Sequence, residues 1–136
     1  MGLSAYTRIL TADGREKRAE DLAAGDVLRD PVSGHELRIV KIWNGPAVGM
    51  FRIAADNAAI LDLTEDQPVM TEQGMVAAGG LIPGAILVEP VGLTACTETT
   101  RLPGDFMVYD PVVESPDDIS PCLAANGLVV GTARAK

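Results

Sequence analysis

Aromatic side chains are nearly missing from this chain. One tryptophan, two tyrosines and two phenylalanines make up 4% of it. Its core must therefore rest on Val, Leu, Ile, Ala and Met, and the 47% hydrophobic content supplies them. Cysteine is scarce too. Cys96 and Cys122 cannot form a disulfide framework, and neither sits in a zinc-ligand spacing. They read either as buried, inert thiols or as redox or nucleophilic groups. No apolar run approaches the ~18 residues needed to cross a bilayer. The opening Met1–Thr7 lacks a basic segment followed by an apolar one. Gly2 follows Met1, but Tyr6 stands where an N-myristoylation signal has Ser or Thr. These absences lead us to expect a soluble, cytoplasmic protein without membrane contact.

A basic excess is also missing. The formal net charge is −8. Residues 1–45 carry seven basic and seven acidic side chains, and residues 46–136 carry four and twelve. Phosphate recognition needs a concentrated basic face, so the balance argues against nucleic acid as a partner. Arg15, Lys17 and Arg18 are interrupted by Glu16 and followed by Glu20-Asp21, which reads as a solvated face. The sole histidine, His35, lies in Val32-Ser33-Gly34-His35-Glu36 and reads as a solvent-facing turn residue.

What is present is a pattern stated twice. Residues 11–28 read TADGREKRAEDLAAGDVL, and residues 71–88 read TEQGMVAAGGLIPGAILV. Thr11 and Gly14 recur as Thr71 and Gly74. Leu22, Gly25, Val27 and Leu28 recur as Leu81, Gly84, Ile86 and Leu87. Two copies are too few for a solenoid. With 136 residues the chain is expected to be one domain, 1–136, made of related halves around 7–63 and 64–130. A chain of this length buries roughly two-thirds of its unfolded surface, enough for a core without staples. Duplication further predicts that Gly25 and Gly84 occupy equivalent corners, and that Val27 and Ile86 are both buried.

Short apolar runs alternate with Gly- and Pro-rich turns throughout, which argues for an all-β domain. Glu36–Trp43 alternates polar and apolar residues as a half-buried strand does. Only Lys17–Ala24 has helical character, about two turns with Gly25 as its cap. Val76–Ile82 has less, because of Gly79-Gly80. Residues 89–105 and 114–121 read as long loops.

The doubled unit, T-x-D-G then E-D-L-x-x-G-D-V-L, resembles the opening of Hint domains, the Hedgehog and intein autoprocessing module. Gly2 to Thr11 is similar to an intein's first block. Leu63-Thr64-Glu65-Asp66-Gln67-Pro68-Val69 resembles the block written L-T-x-D-H-P-V. Val108-Tyr109-Asp110 with Val112 resembles V-Y-D-x-x-V, and Asn126-Gly127-Leu128-Val129-Val130 resembles the closing N-G-x-x-V block. The resemblance covers almost the whole chain, with its blocks in order. It implies an all-β, flattened horseshoe of two pseudo-symmetric halves with one or two short helical turns.

It also implies where chemistry would sit. Active members attack the peptide bond at the domain's N-terminal edge with a thiol or hydroxyl. Gly2 occupies that position here. Ser4, two residues away, reads as a surface serine. The Thr and His of the second block act on that peptide, the histidine as proton donor. Thr64 is retained and reads as a structural hydroxyl bonding local backbone, whereas Gln67 replaces the histidine. Asp110 matches a position near the catalytic centre, or is simply a strand residue. The closing His-Asn pair is replaced by Gly131 and Thr132, followed by Ala133. Asn126 has an amide but belongs to a turn. Cys122 matches a position that is usually apolar or aromatic.

The reading is a Hint-like domain without splicing activity, serving as a structural or protein-interaction module. Its partner would meet the open face or the acidic second half. The alternatives are an autoprocessing domain using Ser4, Thr132 or Cys122, and a β domain that binds a small molecule or peptide. No cofactor and no metal are called for, and a monomer is expected.

Overall fold

A computed structural model describes residues 1–135. It is built almost wholly of strands, with two 3-10 turns, Ala19–Asp21 and Ala78–Gly80. Two long bent strands, Glu36–Ala55 and Gly92–Val113, pair antiparallel along most of their length. The short strands Leu3–Ser4, Ile60–Leu63, Pro68–Thr71, Cys122–Ala125 and Leu128–Gly131 join them in one continuous sheet network.

The scarcity of aromatics leaves an aliphatic core. Leu3, Ile9, Leu28, Leu37, Ile39, Ile53, Leu61, Leu63, Leu87, Leu123 and Leu128 are all buried, and Phe51 is the one aromatic among the cluster's residues. Burial of an aliphatic side chain of this size stabilises by about 1.5–3 kcal/mol.

The doubled pattern is visible as doubled hydrogen bonding. The Gly25 N–H donates to Ile39 O at 2.8 Å, and the Gly84 N–H donates to Cys96 O at 2.7 Å. Both glycines have φ of +94°, a conformation that favours glycine. Thr11 bridges Leu28, and Thr71 pairs with Leu87. The Ala19 N–H meets Thr7 O at 2.8 Å, and the Ala78 N–H meets Gln67 O at 2.9 Å. The correspondence closes where Leu3 pairs with Leu63, its own counterpart in the other half.

Three expectations need correcting. Lys17–Ala24 is not a two-turn helix: Glu16–Arg18 is a strand paired with Arg8–Leu10, and only Ala19–Asp21 turns. Eight residues are too few to sustain a helix when a neighbouring strand offers pairing. Residues 89–105 are not a loop but largely the front of the second long strand. Register shifts between Cys96 and Glu98, and between Leu102 and Asp105, break the period-two pattern there. Val27 and Ile86 are only half-buried, and their neighbours Leu28 and Leu87 fill the core instead. Residues 114–121 do lie largely outside strands, as expected.

Candidate functional site

The sheet brings the start of the chain, the Thr64–Gln67 turn and the end of the chain to one stretch of the second long strand. Leu3 pairs with Tyr109 and Ser4 with Val108, which lays Gly2 beside Asp110 by register. Val112 pairs in parallel with Ala133, and Thr132 Oγ1 donates to Pro111 O at 2.6 Å. Gly2, Asp110 and Thr132 are thereby gathered around residues 108–112, although the sequence separates them by up to 130 positions.

Thr64 holds both main-chain groups of Gly2. The Gly2 N–H donates to Thr64 Oγ1 at 2.9 Å, and the Thr64 N–H donates to Gly2 O at 3.0 Å. Thr64 Oγ1 in turn donates to Asp66 Oδ1 at 2.7 Å, and Asp66 Oδ2 lies 3.1 Å from the Met1 ammonium. The expectation of a hydroxyl bonding local backbone is corrected: the backbone partner of Thr64 lies 62 residues away, because the sheet brings the first strand against it. The block implies no role for Asp66, yet it links Thr64 to the Met1 ammonium. Its carboxyl is held below its usual value by the Thr64 hydrogen bond first, against the effect of burial.

Gln67 does not reach this peptide. Its side chain is buried, and its Nε2 donates to Gly131 O at 2.7 Å and more weakly to Pro68 O at 3.3 Å. The amide thus ties the central turn to the closing strand. Asp110 is half-buried, and burial pushes its carboxyl up to about 6, with the Met1 ammonium pulling down and Asp66 pushing up. Gly2 has no room for more than a hydrogen. A Cβ built there would fall 2.9 Å from both Cβ and Cγ2 of Val108, inside any normal contact.

The other candidates lie apart or are already engaged. Ser4 is not a surface serine: it is buried, and its hydroxyl shares a 2.7 Å hydrogen bond with that of Thr7. The turn after the first strand folds it inward. His35 is exposed in its turn, as expected. Cys96 and Cys122 are buried free thiols. Burial, then the nearby Asp30, pushes Cys122 up to about 11. Asn126 forms the expected turn with φ of +48°, and does more. Its Oδ1 accepts from the Arg8 N–H at 2.7 Å and its Nδ2 donates to Ile60 O at 2.8 Å, pinning the closing hairpin.

Sequence reasoning missed the partner of this site in the other half. Ser4-Ala5-Tyr6-Thr7 makes the same turn as Thr64-Glu65-Asp66-Gln67, with N–H to O closures of 3.1 Å in both. There the Tyr6 hydroxyl donates to the buried Asp62, which accepts two hydrogen bonds from Arg52 at 2.8 and 2.9 Å. By register Asp62 and Arg52 stand where Gly2 and Asp110 stand in the other corner. The sixty-residue offset between Tyr6 and Asp66 was the signal available.

Among the described residues no group of acidic, histidine and cysteine side chains is placed to hold a metal, and no helix is long and apolar enough to cross a membrane. No family model matches the chain. No curated protein sequence matches it either. Solved structures do. The crystal structure of the gp41-1 intein is 17% identical, with a TM-score of 0.81 over 96% of this chain and 98% of that one. The solution structure of a bacterial intein-like domain from Clostridium thermocellum is 23% identical, with a TM-score of 0.82 over 96% and 98%. The Msm DnaB1 intein splicing domain is 20% identical, with a TM-score of 0.79 over 96% and 99%. This chain therefore has the Hint fold of the inteins, as its sequence blocks imply.

Proposed function

We propose that this chain is a Hint-fold domain that does not splice and serves as a structural or protein-interaction module. The observation that carries the reading is at Gly2. A nucleophile there would need a side chain, and Val108 stands 2.9 Å from the place its Cβ would take. The surrounding changes point the same way. Gln67 cannot donate a proton as an acid does, and its amide is committed to Gly131 O. Thr132 offers no amide for cyclisation, and its hydroxyl is committed to Pro111 O. The autoprocessing alternative would need Ser4, Thr132 or Cys122 as nucleophile. Ser4 is buried and hydrogen-bonded to Thr7, and Cys122 is buried with its thiol protonated at neutral pH.

Intact mass tests the reading. Peptides are fused before Met1 and after Lys136, and the fusion is incubated with and without thiol. A single unchanged mass is expected. Time-dependent loss of either peptide at Met1-Gly2 or Thr132-Ala133 overturns it.

A further inference from the structure

The two halves carry equivalent surface grooves that are finished differently. In the first half the groove runs beside Thr11, Ala12, Lys17, Asp26 and Val27. It is a hollow of about 400 Å³ lined by the chain's own ion pair, Lys17 Nζ to Asp26 Oδ2 at 3.0 Å. The same Asp26 oxygen accepts from the Ala23 N–H at 2.9 Å. Burial pushes the Asp26 carboxyl up, but Lys17 and the Ala23 N–H more than offset it and leave it below its ordinary value.

Pairing registers identify the counterparts in the second half. Lys17 opposes Ile9 and Val76 opposes Val69, so Val76 takes the place of Lys17. Ala85 follows Gly84 as Asp26 follows Gly25, so it takes the place of Asp26. The ion pair has been replaced by two apolar side chains, and Ala85 offers no acceptor to the Ile82 N–H. The second-half hollow, of about 460 Å³ and bordered by Val76, Ile82 and Ile86, is similar in size but has no ion pair along it among the described residues. It shares Glu72 and Ile86 with a second hollow of about 480 Å³ that adds Asp56, Glu89 and Leu93. Ile82 is 69% exposed and Leu93 57%. Among the described residues, Asp56, Glu72 and Glu89 have no cationic partner, and no Lys or Arg lines either hollow.

We propose that this groove docks an extended segment of another protein that presents a lysine or arginine between aliphatic side chains. The segment's cation would meet Glu72 and Glu89, supplying from outside the charge that Lys17 supplies within the first half. Its aliphatic neighbours would cover Val76, Ile82 and Leu93, an apolar strip that a monomer leaves wet. Complementary charge at the edge and apolar contact at the centre are the ordinary division of labour in such interfaces. The inference rests on the reading of the chain as an interaction module.

The test is fluorescence anisotropy with a short labelled peptide that alternates leucine and lysine. It is read against a leucine–glutamate peptide and a serine–lysine peptide. Wild type is expected to bind only the first. Two variants should weaken that binding about tenfold or more, a loss of about 1.4 kcal/mol. One is Val76→Lys with Ala85→Asp, which installs the first half's ion pair. The other is Glu72→Gln with Glu89→Gln, made at exposed or half-buried carboxylates that leave the core untouched. Glu16→Gln with Glu36→Gln removes the same charge from the first half and should change nothing. The proposal is overturned if wild type binds no peptide, if the first-half control weakens binding equally, or if sedimentation shows a second copy of the chain occupying the groove. Failure here with intact terminal fusions removes the groove alone, whereas cleavage of those fusions removes the module reading itself.

Discussion

The turns Ser4–Thr7 and Thr64–Gln67 have the same backbone and opposite contents. The first is finished as a piece of structure. Asp62 fills it, locked by Arg52 and Tyr6, and two hydroxyls satisfy one another beside it. The second is finished around main chain. Gly2 fills it without a side chain, Asp110 faces it without an arginine, and the chain's two ends run past it. One corner has partners for every group. The other keeps a carboxyl raised to about 6 without a cationic side-chain partner, beside a main chain held by Thr64.

The largest expected difference lies in the two acids. Asp62→Ala leaves Arg52 and Tyr6 without their shared partner and should destabilise by about 2–3 kcal/mol in urea unfolding. Removing the carboxylate of the other corner, by Asp110→Asn, should not destabilise at neutral pH. If both cost the same, the corners are not finished differently.

Gln67→Ala comes next. It strips from Gly131 O its one side-chain donor among the described residues and opens a small cavity, and should cost about 2–3 kcal/mol. Thr7→Ala at the equivalent position loses one hydroxyl contact and should cost about 1 kcal/mol. Equal losses would say that Gln67 is no clasp.

The acids also predict opposite pH limbs. Burial raises Asp110 in the folded state, so its contribution is full below an unfolded value near 3.9 and is lost as pH rises to about 6. That loss is on the order of 1–2 kcal/mol, discounted for its partial exposure, and Asp110→Asn should abolish it. Burial pushes Asp62 up as well, but Arg52 and Tyr6 more than offset this and leave it lowered. Its contribution is therefore present at neutral pH and lost as pH falls below about 4. Urea midpoints from pH 3 to 8 separate the two.

Smaller still are the paired glycines. Gly25→Ala and Gly84→Ala should each cost about 1–2 kcal/mol, since each forces alanine into the same left-handed conformation with open space around it. The two losses should agree, and a large disagreement would break the equivalence of the halves.

The fold was legible in the sequence because its signals are local. Thr11, Gly14 and Gly25 recur with their turn chemistry intact, and the blocks around Thr64, Asp110 and Asn126 stand in order. The length of the second long strand was not legible, because bulges at Cys96 and Leu102 erase its alternation. That Gly2, Thr64, Asp110 and Thr132 lie near one another was readable by alignment to those blocks. Their partners were not. Nothing local tells Gln67 to turn toward Gly131, makes Ser4 a buried partner of Thr7, or sets Val108 against Gly2, since each contact depends on strands far apart in the chain.

The most direct measurement of the central claim is intact mass of a fusion carrying a leader before Met1, followed for days at pH 7 with excess dithiothreitol. One constant mass is predicted, because nothing at position 2 can take up the leader's acyl group. A product lighter by the leader plus Met1, cut between Met1 and Gly2, would contradict it.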